Sequence, residues 1–493
     1  MSSIWKSPGG SSFFFVKLQK RDNPVRSCYH LFRLLVNSRT VRGDNVEVQH
    51  RSLQKEVGLT LATSLVIGTV IGSGIFMKPG KVIEYAGDST LALWAWIVGG
   101  LITLASGLTI AEVGTQIPKT GGLYVYLEEV YGKVWGFLAG WVQSVIYGPA
   151  VIGALGLYFG SLLVHLFGWG AAWKLPIAVG TVLLLAVVNS LGTRYGGFVQ
   201  TAATLGKLVP IALIAVFGMW KGNGQIWGAD SGVTTEISFG AAVLATLWAY
   251  DGWMLVGFMA GEMKNPAKVL PRAIIGGLLV VTLAYLSVNV ALLHLLPASE
   301  IVRLGENAAG AAASHLFGEW GGRLISVGIL VSIFGCLNGK ILAFPRVPFA
   351  MAERGQLPGS RWLSRIHAAY GTPVAAIFSQ AVIAVILMVV SNPDHLSELA
   401  IFSVYLFYIL AFVALFILRR RQGGRPRAYS VPLYPIVPLF AIAGSLYILA
   451  STLLTNPGNT LAALAITLLG LPFFRRGQRK EAALRGEPVR ANR

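Results

Sequence analysis

From residue 57 onward the chain alternates between apolar stretches of membrane-crossing length and short polar connections. A helix needs about 20 mainly apolar residues to traverse a hydrocarbon core of roughly 30 Å. Stretches at 57–84, 90–115, 134–164, 175–191, 197–218, 239–261, 273–296, 322–344, 373–391, 397–418, 435–454 and 460–474 predict twelve transmembrane helices. The two-residue alternation of a membrane β-barrel is not visible. The fold class implied is an all-α polytopic membrane protein.

Two of these stretches are not ordinary spanning helices. Ile67 to Phe76 reads Ile-Gly-Thr-Val-Ile-Gly-Ser-Gly-Ile-Phe, and each interior glycine weakens a helix by about 0.8–1.0 kcal/mol relative to alanine. Gly68, Gly72 and Gly74 together predict that the first span loosens near Gly72. The sixth span carries Leu247-Trp248-Ala249-Tyr250-Asp251-Gly252-Trp253, with an acid and a glycine in mid-helix, and predicts a second break. Unwound backbone is tolerated at membrane depth only where protein or a wet cavity satisfies its polar groups. Freed N–H donors and a positive helix end suit an anionic ligand, and open carbonyls suit a cationic one. The first and sixth spans hold equivalent places in two five-helix halves, 57–218 and 239–418, followed by two extra helices at 435–474. Interrupted helices so placed point to a 5+5 inverted-repeat transporter with its site near the membrane midplane.

Composition and charge narrow the choice. Only 12% of residues are charged, against about 25% in a soluble domain, and mean hydropathy is +0.64. The net charge of +19 gathers in the tails and in alternate loops, at Lys119 and Lys133, Arg194, Lys264 to Arg272, Arg346 to Arg365 and Arg419 to Arg427. That bias places those loops and both termini in the cytoplasm. The surplus then reads as contact with an anionic lipid bilayer face, not with nucleic acid. Residues 1–55 predict a disordered basic tail, since Phe13 to Val16 is too short to span and no small-residue cleavage site follows. Residues 475–493 predict a second basic tail on the cytoplasmic side. Cys28 and Cys336 lie far apart and the seven histidines are scattered, so no disulfide framework, metal site or cofactor is expected. Gly132-Lys133, Gly206-Lys207 and Gly339-Lys340 are not followed by Ser or Thr, which excludes a P-loop. With no paired acids at catalytic spacing, an enzyme or ATP-driven pump is not expected. A channel would show a filter or pore ring repeated by subunits.

Two charges, Lys207 and Asp251, stand deep inside apolar stretches. At about 1.5 Å per residue Lys207 lies roughly 15 Å from Gly197, near mid-bilayer. A charge there costs roughly 2.5–3.5 kcal/mol or more and marks a functional position with a partner. Asp251 has three readings: a counter-charge for a cationic group, a partner for Lys207, or a side chain facing water at the break. Trp248 and Tyr250 flank it, and aromatics so placed serve packing or gating.

Gly72-Ser73-Gly74-Ile75-Phe76, the segment Glu112 to Gly122 (EVGTQIPKTGG), and Trp248 to Trp253 followed by Gly261-Glu262-Met263-Lys264-Asn265-Pro266 resemble the amino acid–polyamine–organocation superfamily. Within it the chain is most similar to bacterial members of the L-type amino acid transporter family, the serine/threonine exchangers, over about residues 56–474. The resemblance implies the leucine-transporter fold and a zwitterionic L-amino acid substrate. Its α-carboxylate would be held by the N–H groups of Ser73 and Gly74 beside Gly72, with the Ser73 hydroxyl as a further donor. Its α-ammonium would lie against carbonyls of Val70, Trp248, Ala249 and Asp251. The resemblance also implies a gate at Trp248 with Tyr250 beside it. It puts the Lys207 ammonium where sodium-coupled relatives hold a sodium ion, and hence sodium-independent exchange. A proton-coupled permease is the alternative. Tyr147, Ser332, Asn338 and Tyr405 are further candidates for the side-chain pocket. Charges around 117–122 and at Glu262, Lys264 and Arg272 form either an inner gate or solvated loop ends. Animal relatives join a heavy subunit through a cysteine between the third and fourth helices. The corresponding segment, His165 to Lys174, has none, so no disulfide-linked partner is expected.

Overall fold

A computed structural model describes residues 55–228, 237–423, 426–455 and 457–485. The expected N-terminal tail, apart from Lys55, and the last residues of the C-terminal one lie outside the described residues. The bundle is built from α1 (Leu59–Val70), α2 (Gly74–Met77), α3 (Ser89–Gln116), α4 (Lys133–Val142), α5 (Gly148–Phe167), α6 (Lys174–Ser190), α7 (Thr193–Lys221), α8 (Phe239–Ala249), α9 (Leu255–Phe258), α10 (Pro266–Leu295), α11 (Ala308–Ala343), α12 (Val374–Val390), α13 (Pro393–Gln422), α14 (Ile436–Thr455) and α15 (Pro457–Arg485). Shorter helices fill the connections. Among the described residues β-pairing is limited to one bridge, Val57 with Met263.

Among the described residues ten helices are long and apolar enough to cross a membrane, and α8 and α12 are shorter apolar helices. α8 is short because the chain leaves the helix at Tyr250, where the sequence predicts the second break. Burial separates an inner group from an outer one. The most apolar window of Leu59–Met77 is 78% buried within the protein, whereas that of Ala171–Ser190 is 28% buried. α1 packs against α7, α10 and α11, so the first span runs through the middle of the bundle.

α7 shows how the pattern of side chains assigns faces. Phe198, Leu205, Val209, Val216 and Trp220 recur at helical spacing and are exposed on its outer surface. Gln200, Thr204, Lys207, Ile211 and Ile214 recur on the opposite face and are buried. The apolar face is thus turned outward and the polar one inward, the reverse of a soluble helix, as hydrocarbon outside the protein requires. Lys207 lies midway between the ends of α7, on the face turned toward α1.

Candidate substrate site

α1 ends at Val70. Ile71 is extended (φ −71°, ψ 98°), and helix resumes at Gly74. The break strips the carbonyls of residues 68–72 of their helical donors, and each must find another or remain unsatisfied. All five are supplied by side chains of other helices. Lys207 Nζ donates to Gly68 O at 2.8 Å and to Ile71 O. Cys336 Sγ donates to Thr69 O at 3.1 Å, and Tyr285 Oη to Val70 O at 3.0 Å. Ser332 Oγ donates to Gly72 O at 3.1 Å. On the donor side the situation is reversed, for the N–H groups of Gly72, Ser73 and Gly74 have no acceptor among the described residues.

The second break faces the first. After α8 the chain turns through Tyr250 to Met254 and resumes helix at Leu255. Thr69 Oγ1 donates to Gly252 O at 3.0 Å, and the hydroxyl of Tyr285 also reaches Ala249 O at 2.8 Å. The two segments approach so closely that a Cβ on Gly74 would meet Ala249 Cα at 2.6 Å. Gly252 has φ +118°, and a Cβ there would meet Thr69 O at 2.6 Å. Glycine is required at Gly252 for both conformation and space.

Between the breaks lies a small cavity. One wall is Thr69, Val70 and Gly72 to Gly74, a second is Trp248, Ala249 and Asp251, and Val151, Leu155, Cys336 and Lys340 complete it. Two full charges face each other here. Lys340 Nζ lies 3.2 Å from Asp251 Oδ2, and Tyr147 Oη donates to the same carboxylate at 2.9 Å. The arrangement offers unpaired N–H donors on one side and carbonyl and carboxylate oxygens on the other, and the two charged side chains that line it, Asp251 and Lys340, balance.

An amino acid permease family model matches residues 57–471, nearly the whole described bundle. The chain belongs to the amino acid permease family. Members are transporters, not enzymes. Over 438 residues it is 59% identical to the Serine/threonine exchanger SteT of Bacillus subtilis (strain 168), covering 89% of this chain and 100% of that one. It is 32% identical over 435 residues to the human Cystine/glutamate transporter, covering 86% and 85% of the two chains. It is also 32% identical over 445 residues to the human Large neutral amino acids transporter small subunit 2, covering 86% and 80%.

All seven residues that the permease resemblance assigns to substrate line this one cavity: Val70, Gly72, Ser73, Gly74, Trp248, Ala249 and Asp251. The other candidates stand behind its wall. Lys207 braces the carbonyl end of α1, Ser332 holds Gly72 O, and Tyr147 reaches Asp251. Tyr250 is buried against Trp96 and Tyr285, with its hydroxyl donating to Trp96 O at 3.3 Å. Tyr405 packs on Tyr408 at 5.1 Å between ring centroids. Asn338 departs from the expected role in the side-chain pocket. It bonds Gly196 O, Gln200 and Asn189 within the helix packing, because its position on α11 points at α6 and α7. Of the three readings of Asp251, pairing with Lys207 does not occur, since Lys207 is committed to α1 and the ammonium beside Asp251 is Lys340. Residues not singled out from sequence are Lys340, Cys336, Tyr285 and the apolar pair Val151 and Leu155. Of these only Lys340 carries a sequence signal, a charge inside an apolar stretch.

At the basic end of the bundle, Glu262 forms a buried pair with Arg346, with Nε to Oε1 at 2.8 Å, and Arg346 also donates to Thr193 at 3.2 Å. A second acid, Glu112, accepts from Arg419 and from the backbone of Val431. Lys264 contributes a backbone link instead of a charge, donating its N–H to Val57 O at 3.2 Å.

Proposed function

We propose that the protein exchanges small neutral L-amino acids across the cell membrane without sodium, favouring serine and threonine, by alternating access around the paired breaks. The observation that carries this reading is a small cavity with free N–H groups on one wall and carbonyls on the other, in a member of the amino acid permease family. The N–H groups of Ser73 and Gly74, with the Ser73 hydroxyl, receive the α-carboxylate. The α-ammonium lies against the carbonyls of Val70, Trp248, Ala249 and Asp251. Val70 O and Ala249 O already share the Tyr285 proton, and Trp248 O accepts the Asp251 N–H at 3.1 Å. Each keeps a second lone pair for the ligand.

Lys207 supplies a fixed positive charge at the end of α1, which makes a coupling sodium unnecessary. Trp248 closes the cavity on one side, and Tyr250, packed on Trp96 and Tyr285, holds the turn that follows it. In this reading the twelve helices form a 5+5 inverted repeat with two further helices, both termini face the cytoplasm, and the carrier works without a disulfide-linked heavy subunit. Exchange means that the loaded carrier reorients readily and the empty one slowly. Proteoliposomes test this directly. Internal L-serine is expected to accelerate uptake of labelled L-serine, and replacing sodium by choline to leave it unchanged. Uptake indifferent to internal amino acid but driven by a pH gradient would replace exchange by the proton-coupled alternative.

A further inference from the structure

The α4–α5 span contains one turn of π-helix, Gln143–Tyr147. Such wide turns insert one residue and shift everything beyond them by about 100° around the axis. The Gly148 N–H bonds to Gln143 O, five residues back, and so abandons Ser144 O. The next residue in line to serve Ser144 O is Pro149, which has no N–H. The sequence therefore orphans this carbonyl in the middle of a membrane helix. Gln380, on α12 and 1% exposed, fills the gap: its Nε2 donates to Ser144 O at 2.7 Å. A second glutamine, Gln143, donates from its Nε2 to Ala139 O at 3.0 Å. Gly148 makes the approach feasible, since a Cβ there would meet Gln380 Oε1 at 2.6 Å. The last residue of the wide turn is Tyr147, whose hydroxyl meets both oxygens of Asp251 at 2.9 Å.

We infer that Gln380 is a positioning residue for transport: from a helix that does not reach the cavity, it stabilises the wide turn that aims Tyr147 at Asp251. The inference rests on the proposed site at Asp251. Glutamine serves because the carbonyl needs a donor at side-chain reach without a charge in hydrocarbon. Its Oε1 has no partner among the described residues, so the donor half of the amide is what the fold uses.

The test compares Gln380→Met, which keeps length and removes the donor, with Tyr147→Phe, by uptake of labelled L-serine into proteoliposomes normalised to folded carrier from size-exclusion chromatography. Both variants are expected to raise KM about five- to tenfold, the worth of one buried hydrogen bond, and the double variant to be no worse than either. Pro149→Ala supplies the missing N–H and is expected to return the KM of Gln380→Met to within about twofold of wild type. Wild-type KM in Gln380→Met beside an impaired Tyr147→Phe overturns the inference and leaves the site reading intact. So does a loss of folded carrier with unchanged KM, additivity in the double variant, or failure of Pro149→Ala to restore KM. Unchanged kinetics in Tyr147→Phe itself refutes the site reading, and this inference with it.

Discussion

Replacing Lys207 by methionine removes an ammonium and keeps most of its stem, which isolates the two hydrogen bonds it donates to the end of α1. Gly68 O has no other donor among the described residues, so it becomes a buried unsatisfied carbonyl at about 1–3 kcal/mol. Ile71 O retains only the Ser332 hydroxyl at 3.4 Å, a weak substitute already engaged with Gly72 O. Relief from burying an ammonium offsets part of the loss. The net is about 2–3 kcal/mol against the broken conformation, roughly 30- to 150-fold in an equilibrium.

That penalty falls on the conformation competent to bind, so apparent affinity drops in proportion to the fraction of carrier that still adopts it. Uptake of labelled L-serine into proteoliposomes, measured across substrate concentration, is expected to show a KM raised at least tenfold. The same purified variant is expected to lose most of the thermal stabilisation that L-serine gives the wild type. Kinetics within twofold of wild type would refute the reasoning, for they would mean that the break persists without its brace.

Ser73→Pro deletes a single N–H at a residue whose φ of −73° already suits proline. It is expected to lower serine affinity at least tenfold while leaving the melting temperature within a few degrees, measured by binding and by thermal unfolding in detergent. Asp251→Asn leaves the buried Lys340 ammonium without its counter-ion, at about 3–5 kcal/mol. Thermal unfolding should show a large drop, most of it recovered in Asp251→Asn with Lys340→Met, and additive effects would show that the pair is not coupled.

Both breaks were legible in the sequence because their signals are local. Gly72, Gly74 and Gly252 weaken helix where they stand, and Asp251 is a charge in an apolar stretch whatever surrounds it. The groups that make the breaks stable are not local. Tyr285 and Ser332 sit in stretches that read as ordinary spans, and nothing near them distinguishes a donor to α1 from a packing side chain. Lys340 carries the same signal as Lys207, but it stands four residues from the end of its apolar stretch, where a lysine normally snorkels to the surface. The fold removes that option by continuing through Phe344 into the buried helix Arg346–Glu353, so position 340 is 2% exposed. Asn338 was misplaced for the related reason that two residues, about 200° around α11, separate Cys336, aimed at α1, from Asn338, aimed at α7.

The asymmetry of the site leads to a prediction about ligands. The carbonyls of the first break are already held by Lys207, Cys336, Tyr285 and Ser332, so an arriving ammonium shares acceptors that are stable without it. The N–H groups of Gly72 to Gly74 have no such substitute and depend on a ligand or water. A carboxylate should therefore contribute more to binding than an ammonium does. Losing two charge-assisted hydrogen bonds amounts to about 3 kcal/mol or more, over a hundredfold in affinity, whereas losing an ammonium that shares its acceptors should cost about tenfold. Serinol, which lacks the carboxylate, is expected to compete with labelled L-serine far more weakly than D- or L-glycerate, which lacks the ammonium. Equal inhibition by the two, or stronger inhibition by serinol, would mean that the oxygens around Asp251 and not the bare N–H groups at Gly72 to Gly74 set the affinity.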